Sequence, residues 1–242
     1  MHQRKHYIYP DLDTLAAAFV CDVNRFLAET KNLGRNVHIA LSGGTTPLAV
    51  FRQLIHATQP EEWSHVHLHW GDERCVPASN SESNYGNARR LFIEALNFPS
   101  ERIHPINGEE DPAQESARYS QSLMDMLPVK NGFPVFDWIW LGLGEDGHTA
   151  SIFPNQLHLW KSDQPCVVAE HPTSGQKRIS ITGGVVNGAT RVAFLVSGKN
   201  KSNIVNEIVM KEGCYLEYPA FYVTPDSGYL EWYLDMDATS WM

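Results

Sequence analysis

The segment LGLGEDGHTASIFP, residues 141–154, constrains the fold more than any other part of the chain. It overlaps an apolar run, residues 136–143, which is broken only by Asp137 and is typical of a strand buried in a parallel sheet. A glycine-rich turn carrying Glu145, Asp146 and His148 follows, and we expect Thr149 to begin a short helix. Because open α/β sheets bind ligands beyond the carboxyl ends of their strands, this pattern predicts an acid–histidine pair at a ligand site.

His148 is the candidate catalytic residue of this segment. Histidine is the side chain best suited to accept a proton near neutral pH, and Asp146 could orient its ring and stabilise the charged form. A solvated histidine in an ordinary glycine turn is the alternative interpretation. The combination of several glycines, two acids and a histidine at a strand end favours the functional one.

The spacing of apolar residues predicts strands alternating with helices along the chain. This alternation indicates one domain over residues 1–242, a three-layer α/β/α sandwich with a mainly parallel, Rossmann-like sheet. The predicted helices cover residues 11–30, 46–57, 83–96, 111–126 and 200–210. The predicted strands cover residues 37–41, 66–70, 136–143, 166–169, 178–182, 191–196 and 229–234.

Charge and cysteine content narrow the partners and the compartment. A formal net charge of −9 disfavours nucleic acid and anionic membranes, and a small anionic substrate would then need a local cationic pocket. Neither a signal peptide nor an apolar run long enough to cross a bilayer is visible. Four scattered cysteines without a CxxC pair suit a reducing cytoplasm, which is where we expect the protein.

The motif LSGGTTP, residues 41–47, is a candidate anion site. Ser42, Gly43, Gly44 and Thr45 form a turn between a strand and a helix, and we expect Thr46 to be the helix N-cap. Glycines let the backbone approach a ligand closely, and free N–H groups at a helix start favour a phosphate. An ordinary tight turn would be equally consistent with this motif alone. Neither a Walker loop nor a GxGxxG dinucleotide fingerprint is present.

Two further strand ends carry charged residues. In WGDERCVP, Asp72 could accept hydrogen bonds from sugar hydroxyls, and Arg74 could grip a phosphate or carboxylate with two donors. In SGKNKSN, Lys201 lies at a helix start, where a cation is unfavourable unless an anion neutralises it. Arg178, at the start of the RISIT strand, is a weaker candidate of the same type. Surface ion pairs or free surface charges are the alternative for each motif.

The run HVHLHW is a possible metal motif. Its three histidines, His65, His67 and His69, would point to one face of a strand, as in some metal sites. No further ligand lies at a suggestive spacing. We therefore expect no metal, and interpret these residues as a polar rim on a strand near a sheet edge.

Six motifs, taken in order, resemble the 6-phosphogluconolactonase family from about residue 37 to the end. They are LSGGTTP, DERCVP with Ser83-Asn84, GLGEDGHTASIFP, RISIT, GKNK and PAFYV. The resemblance implies cofactor-free hydrolysis of 6-phospho-D-glucono-1,5-lactone, a small-molecule sugar-phosphate substrate, in the oxidative pentose phosphate pathway. It also implies that His148 is the catalytic base and that Arg74 and Lys201 contact phosphate or substrate. The oligomeric state stays open between a monomer and a weak dimer.

Rival functions share parts of this pattern. A glucosamine-6-phosphate deaminase or isomerase also carries a GEDGH segment, but places an acid five residues after the histidine, where this chain has Phe153. A non-catalytic sugar-phosphate sensor would normally carry a further domain, for which little room exists before Val37. A nicotinamide dehydrogenase lacks support because the dinucleotide loop is missing.

Overall fold

The computed structural model describes residues 3–240, and its centre is a seven-stranded sheet in which neighbouring strands all pair in parallel. The strands are β1 (Gln3–Tyr9), β2 (Val37–Leu41), β3 (Val66–Trp70), β4 (Asp72–Arg74), β5 (Ile103–His104), β6 (Val129–Lys130), β7 (Phe133–Pro134), β8 (Trp138–Leu141), β9 (Cys166–Glu170), β10 (Lys177–Ile181), β11 (Val192–Val196) and β12 (Tyr229–Asp235). The α-helices are α1 (Leu12–Lys31), α2 (Thr45–Ala57), α3 (Asn84–Ala88), α4 (Pro112–Met126), α5 (Gly183–Gly188) and α6 (Ser202–Met210). Short 3₁₀ turns cover Pro60–Trp63, Ser100–Arg102, Pro154–Lys161, Lys199–Lys201, Tyr215–Glu217, Pro219–Tyr222 and Asp237–Thr239, and a π-helical stretch covers Arg89–Ile93.

The order of the strands locates the crevice of the sheet. Across the main sheet the order is β1-β12-β11-β8-β2-β3-β5. From β2 the chain moves outward to β3 and β5, whereas from β8 it moves outward the other way to β11 and β12. The direction of winding therefore reverses between β2 and β8. In sheets of this kind ligands bind at such a reversal, beyond the carboxyl ends of the strands.

Helices flank the sheet and complete a three-layer α/β/α arrangement. Helices α1 and α2 pack against each other, and the Phe19 ring of α1 lies edge-on to Trp140 and Tyr233 of the sheet, with centroids 5.0 and 4.8 Å away. Helix α4 packs against a second, antiparallel sheet of order β4-β10-β9. The fold prediction is confirmed. No helix within residues 3–240 is both long and apolar enough to span a bilayer.

Two predicted helix starts were wrong, and side-chain hydrogen bonds explain both. Helix α2 begins at Thr45 with Gly44 at the N-cap position, and the hydroxyl of Thr46 instead pairs with Ser197 Oγ at 3.0 Å. No helix starts at Thr149, because its hydroxyl donates to the Gly142 carbonyl at 2.9 Å and its backbone bridges to Ile152. The strand prediction for residues 136–143 was too long, since β8 ends at Leu141.

A buried ion network lies near the amino-terminal ends of β11 and β12. Arg191 precedes β11 and donates hydrogen bonds to Glu231 and, at 2.5 Å, to Asp22 of α1. Its guanidinium also stacks on the Trp138 ring, 3.9 Å from the centroid. The charge of Arg191 is therefore compensated by carboxylates of the chain itself, so this residue is not available to bind an anionic ligand.

Candidate active site

A cleft lies at the reversal point between β2 and β8. Its walls contain nine residues that the sequence singled out: Ser42, Gly43, Gly44, Thr45, Asp72, Arg74, His148, Arg178 and Lys201. Asp146, the tenth, lies beside His148. The structure thus brings together residues separated by up to 159 positions, because the carboxyl ends of parallel strands meet at one edge of the sheet.

The turn after β8 presents His148 to the cleft. Gly144 N–H donates to the His148 carbonyl at 2.8 Å, and Gly147, with a φ of +82°, supplies the left-handed conformation that the turn requires. Asp146 Oδ1 accepts hydrogen bonds from the ring Nδ1 of His148 at 2.6 Å and from its backbone N–H at 3.1 Å. With Nδ1 donating to the carboxylate, Nε2 is the ring nitrogen that carries the lone pair.

The carboxyl group of Asp146 is held in its charged form. Burial opposes ionisation, but the hydrogen bonds from His148 and the attraction of its ring keep the pKa of Asp146 below its ordinary value. A carboxylate at this position fixes the orientation and the tautomer of the His148 ring. The pair therefore has the geometry of a general base with its orienting acid.

An apolar ring lies on the other side of His148. The Phe153 side chain is fully buried, and its centroid lies 4.7 Å from that of the imidazole. Phe153 can pack against His148 but cannot transfer a proton. Among residues 3–240, Asp146 is the only carboxylate that forms a hydrogen bond with the His148 ring.

The SGG turn places the start of α2 at the cleft. Gly44 has a φ of +99°, which favours glycine, and a Cβ on Gly43 would lie 1.8 Å from Asn84 Oδ1. Only glycine fits at Gly43 while Asn84 keeps its position. The first N–H groups of the 13-residue helix α2 lack partners within the helix and favour an anion there.

Asp72 is a buried hydrogen-bond acceptor in the cleft wall. Its Oδ2 accepts from Ser151 Oγ at 2.6 Å, and its Oδ1 accepts from Asn84 Nδ2 at 3.3 Å. The neighbouring Glu73 points away from the ligand side and accepts backbone N–H bonds from Asn84 and Tyr85, both at 2.7 Å. Glu73 thus supports the wall, whereas Asp72 forms part of its surface.

Two arginines lie side by side across the small sheet. Arg178 of β10 pairs in register with Arg74 of β4, and the Nε atoms of both are buried without a hydrogen-bond partner among residues 3–240. Burial, followed by the charge of Arg74, lowers the pKa of Arg178 from its ordinary value. Two close, incompletely paired guanidinium groups form a favourable site for a dianion.

Lys201 supplies a third cation. It ends the turn Lys199–Lys201 ahead of α6, and burial lowers its pKa, an effect that Glu145 and then Asp146 oppose. Asp235 anchors this turn by accepting the Gly198 N–H at 3.0 Å. Lys199, by contrast, is exposed and is absent from the cleft lining.

Three residues that sequence reasoning did not assign to the site are Asn84, Ser151 and Ser197. Asn84 and Ser197 line the cleft, and Ser151 holds Asp72. Asn84 stood within a motif that carried the resemblance, so a signal was present. Ser151 and Ser197 also stood within quoted motifs, GLGEDGHTASIFP and SGKNKSN, but only their contacts with Asp72 and with Thr46 place them at the site.

The HVHLHW histidines do not join the cleft. His67 and His69 of β3 stack with His38 of β2 and His104 of β5, and we call these four the histidine quartet. His69 is fully buried, so the prediction of a polar rim was wrong for it. Within residues 3–240 no group of three or more His, Cys, Asp or Glu is arranged to hold a metal ion.

The chain is similar to known proteins over most of its length. A family model described as glucosamine-6-phosphate isomerases/6-phosphogluconolactonase matches residues 10–232. The chain is 43% identical over 208 residues to a 6-phosphogluconolactonase of Haemophilus influenzae, covering 85% of this chain and 88% of that one. It is 37% identical over 205 residues to one of Treponema pallidum, covering 84% and 83%. A crystal structure described as devB protein superposes with a TM-score of 0.91 at 41% identity, covering 99% of this chain and 100% of that one.

Proposed function

Because this chain belongs to the family of glucosamine-6-phosphate isomerases and 6-phosphogluconolactonases, we propose that its cleft hydrolyses 6-phospho-D-glucono-1,5-lactone, with His148 activating water. The lactonase activity, a step of the oxidative pentose phosphate pathway, follows from the relatives that carry this name over most of the chain. The roles of individual residues rest on geometry. The observation that carries them is the 2.6 Å bond between His148 Nδ1 and Asp146, which leaves Nε2 free to act as a base in the cleft.

In this scheme His148 moves one proton. Nε2 takes a proton from water as the water oxygen forms a bond to C1 of the lactone. The bond between C1 and the ring oxygen then breaks, and the protonated imidazole returns its proton to that oxygen. The products are a carboxylic acid at C1 and a hydroxyl at C5. A lactone is an activated ester, so direct attack by water needs no enzyme nucleophile.

Asp146 stabilises the charged intermediate form of the base. The pKa of its carboxyl group lies below that of an ordinary aspartate, so the group is ionised. The carboxylate attracts the imidazolium and keeps Nδ1 protonated. The oxyanion that develops at C1 also requires donors. Backbone N–H groups of the glycine turn or a nearby cation of the cleft would supply them.

The cationic side of the cleft holds the phosphate. Three cations lie in the same cleft as His148, beside the start of α2: Arg74, Arg178 and Lys201. None of them forms an ion pair with a carboxylate within residues 3–240. Anchoring the phosphate far from C1 would fix the orientation of the ring relative to Nε2. Asp72 and the backbone of Ser42–Thr45 would contact the sugar hydroxyls and the phosphate.

The deaminase alternative is disfavoured by Phe153. A buried phenyl ring against His148 offers no acid at the position where that alternative needs one. A sensor without catalysis is disfavoured because Asp146 and His148 form the hydrogen bond that a base requires. Incubation with glucosamine 6-phosphate should therefore release no ammonia above background.

A coupled assay tests the proposal. The lactone is generated enzymatically, and its loss is followed above the rate of spontaneous hydrolysis. We expect Arg74→Ala and Lys201→Ala to raise KM more than they lower kcat, because they remove binding that ground state and transition state share. Lys199→Ala is the matched control, with KM unchanged. An unchanged KM together with a lower kcat in the first two variants would contradict the phosphate assignment.

We also propose that the protein acts in the cytoplasm on this small substrate, without nucleic acid or membrane. The supporting observations are the net charge of −9 and four cysteines that are all unpaired.

A further inference from the structure

The segment 215–222 covers residues 144–148, which we call the catalytic turn because it carries the proposed base, from outside the cleft. The Tyr218 ring lies directly on Gly147, so closely that a Cβ at Gly147 would be 2.5 Å from Tyr218 Cγ and Cδ1. The carbonyl of Gly147 also accepts the N–H of Ala220 at 3.2 Å. The glycine between Asp146 and His148 is therefore fixed by a ring and by a backbone hydrogen bond.

Tyr218 is itself fixed by Glu207 of helix α6. The Tyr218 hydroxyl donates to Glu207 Oε2 at 2.8 Å, and the same oxygen accepts the Cys214 N–H at 2.9 Å. Burial, followed by this hydrogen bond, raises the pKa of Tyr218 to about 12, so the phenol stays protonated as the donor. Helix α6 starts directly after Lys201 and carries Glu207. One helix thus connects a cation of the cleft with the residue that holds Tyr218 on the catalytic turn.

The turn needs such support because of its composition. Glycine has more backbone freedom than any other residue, and Gly147 must hold a φ of +82° for Asp146 Oδ1 to reach His148 Nδ1. Removing the ring that lies on Gly147 would let this φ relax. The hydrogen bond that orients His148 would then lengthen, although neither residue of the pair had been changed.

We propose that Tyr218 and Glu207 are positioning residues for the lactonase reaction, which hold the Gly147 turn so that Asp146 keeps His148 aimed at the lactone carbon. This inference rests on the proposed function. Tyr218 does not line the cleft, so it acts through the turn and not by touching the substrate.

The test compares Tyr218→Ala with Tyr218→Phe in the coupled assay across pH. Tyr218→Ala should lower kcat by roughly tenfold to a hundredfold, the cost expected of a small misplacement of a catalytic group. KM should stay within about twofold, since the phosphate contacts are untouched. The acid limb of the kcat profile should move to lower pH, because a weakened Asp146 contact stabilises the imidazolium less. Tyr218→Phe keeps the ring on Gly147 but loses the hydrogen bond to Glu207, so its kcat should lie between those of Tyr218→Ala and the wild type.

A second variant covers the case in which Tyr218→Ala does not fold. Glu207→Ala frees the phenol while leaving every residue of the turn in place, and should lower kcat several-fold with the same displacement of the acid limb. The ¹⁵N chemical shifts of the His148 ring give a readout that does not depend on activity. In each variant they should report a weaker Nδ1 hydrogen bond.

The outcomes separate the two hypotheses. A wild-type protein without lactonase activity would overturn the proposed function. An active wild type, with folded variants that retain its kcat and its pH profile, would overturn the positioning role. A loss of kcat with an unmoved acid limb and unchanged ¹⁵N shifts would overturn it as well, because that is the result of a merely structural contact.

Discussion

Histidines form hydrogen bonds in two different settings, the turn after β8 and the histidine quartet of the sheet, and their partners differ. In the catalytic turn, His148 bonds to a carboxylate, Asp146, at 2.6 Å. In the histidine quartet, rings bond to rings: His38 Nδ1 to His69 Nε2 at 2.9 Å, and His67 Nδ1 to His104 Nε2 at 2.8 Å. Each ring pair needs one donor and one acceptor nitrogen, which two neutral imidazoles provide.

The quartet is consequently kept neutral. Burial, followed by the charge that His67 would carry, lowers the pKa of His38 and of His104 to about 4, and burial lowers that of His69 far below its ordinary value. His148, by contrast, bonds to the carboxylate of Asp146 and lines an open cleft. A histidine side chain alone therefore does not identify a candidate base. Its carboxylate partner and its position in an open cleft identify it.

The largest expected effect separates the two regions directly. His148→Ala should lower kcat by about a hundredfold or more, the loss expected when a general base is removed, while substrate still binds. His104→Gln, the matched change in the quartet, should leave kcat at pH 7 unchanged because His104 lies outside the cleft. The coupled assay measures both. Near-normal turnover in His148→Ala would refute the assignment of the base.

The carboxylate partner is tested by Asp146→Asn. The amide keeps the shape of the side chain but removes the charge that favours the imidazolium, so kcat should fall by roughly tenfold or more. The acid limb of the pH–rate profile should move to lower pH. A variant that keeps both the rate and the profile of the wild type would show that the carboxylate is not what distinguishes His148 from the quartet.

A smaller effect concerns stability towards acid. The quartet pKa values lie below the 6.5 of an unfolded histidine, so unfolding takes up protons between pH 6.5 and about 4. Stability is therefore full above pH 6.5 and falls as the pH is lowered, by at most about 1.4 kcal/mol per pH unit for each such histidine. Urea unfolding at pH 7, 6 and 5 measures this loss.

His104→Gln provides the control for that measurement. Glutamine cannot titrate, so the loss of stability between pH 7 and pH 5 should be smaller than in the wild type. Charged neighbours are shared by both proteins: Asp137 and Arg35 act on His38, and Arg102 acts on His67. An equal loss in the two proteins would mean that carboxylates elsewhere cause the acid sensitivity.

Metal ions should have no effect on activity or stability through the histidine quartet. Quartet rings are stacked, for example His67 on His104 with an interplanar angle of 4°, and their bonded nitrogens face each other instead of a common point. Adding EDTA or Zn²⁺ should therefore change neither kcat nor Tm. A rise in Tm with Zn²⁺ that is lost in His104→Gln would show that the quartet binds metal.

The sequence predicted which charged residues would meet in the cleft where these residues follow a strand. Asp72, Arg74, His148 and Lys201 follow strands directly or within a short turn, and parallel strands bring such positions together. Thr46 and Thr149 show the limit of local signals, because neither hydroxyl caps a helix: that of Thr46 pairs with Ser197 across the fold, and that of Thr149 donates to the Gly142 carbonyl at the start of its own turn. The quartet was out of reach for a related reason. His38 and His104 join His67 and His69 only through strand pairing.

The parallel pairing of β1 with β12 also determines when the structure can be completed during synthesis. Gln3 aligns with Tyr229 and Tyr9 with Asp235, and β12 is the only strand that pairs with β1 among residues 3–240. Strand β1 is translated before β12 and must wait for it, and a contact between segments so far apart in sequence is intrinsically slow to form. On the ribosome, the strands around the cleft can pair while Ile8 and its neighbours still lack a template. A chaperone that shields unpaired strands would thus be needed longest at β1, the edge of the sheet farthest from β5.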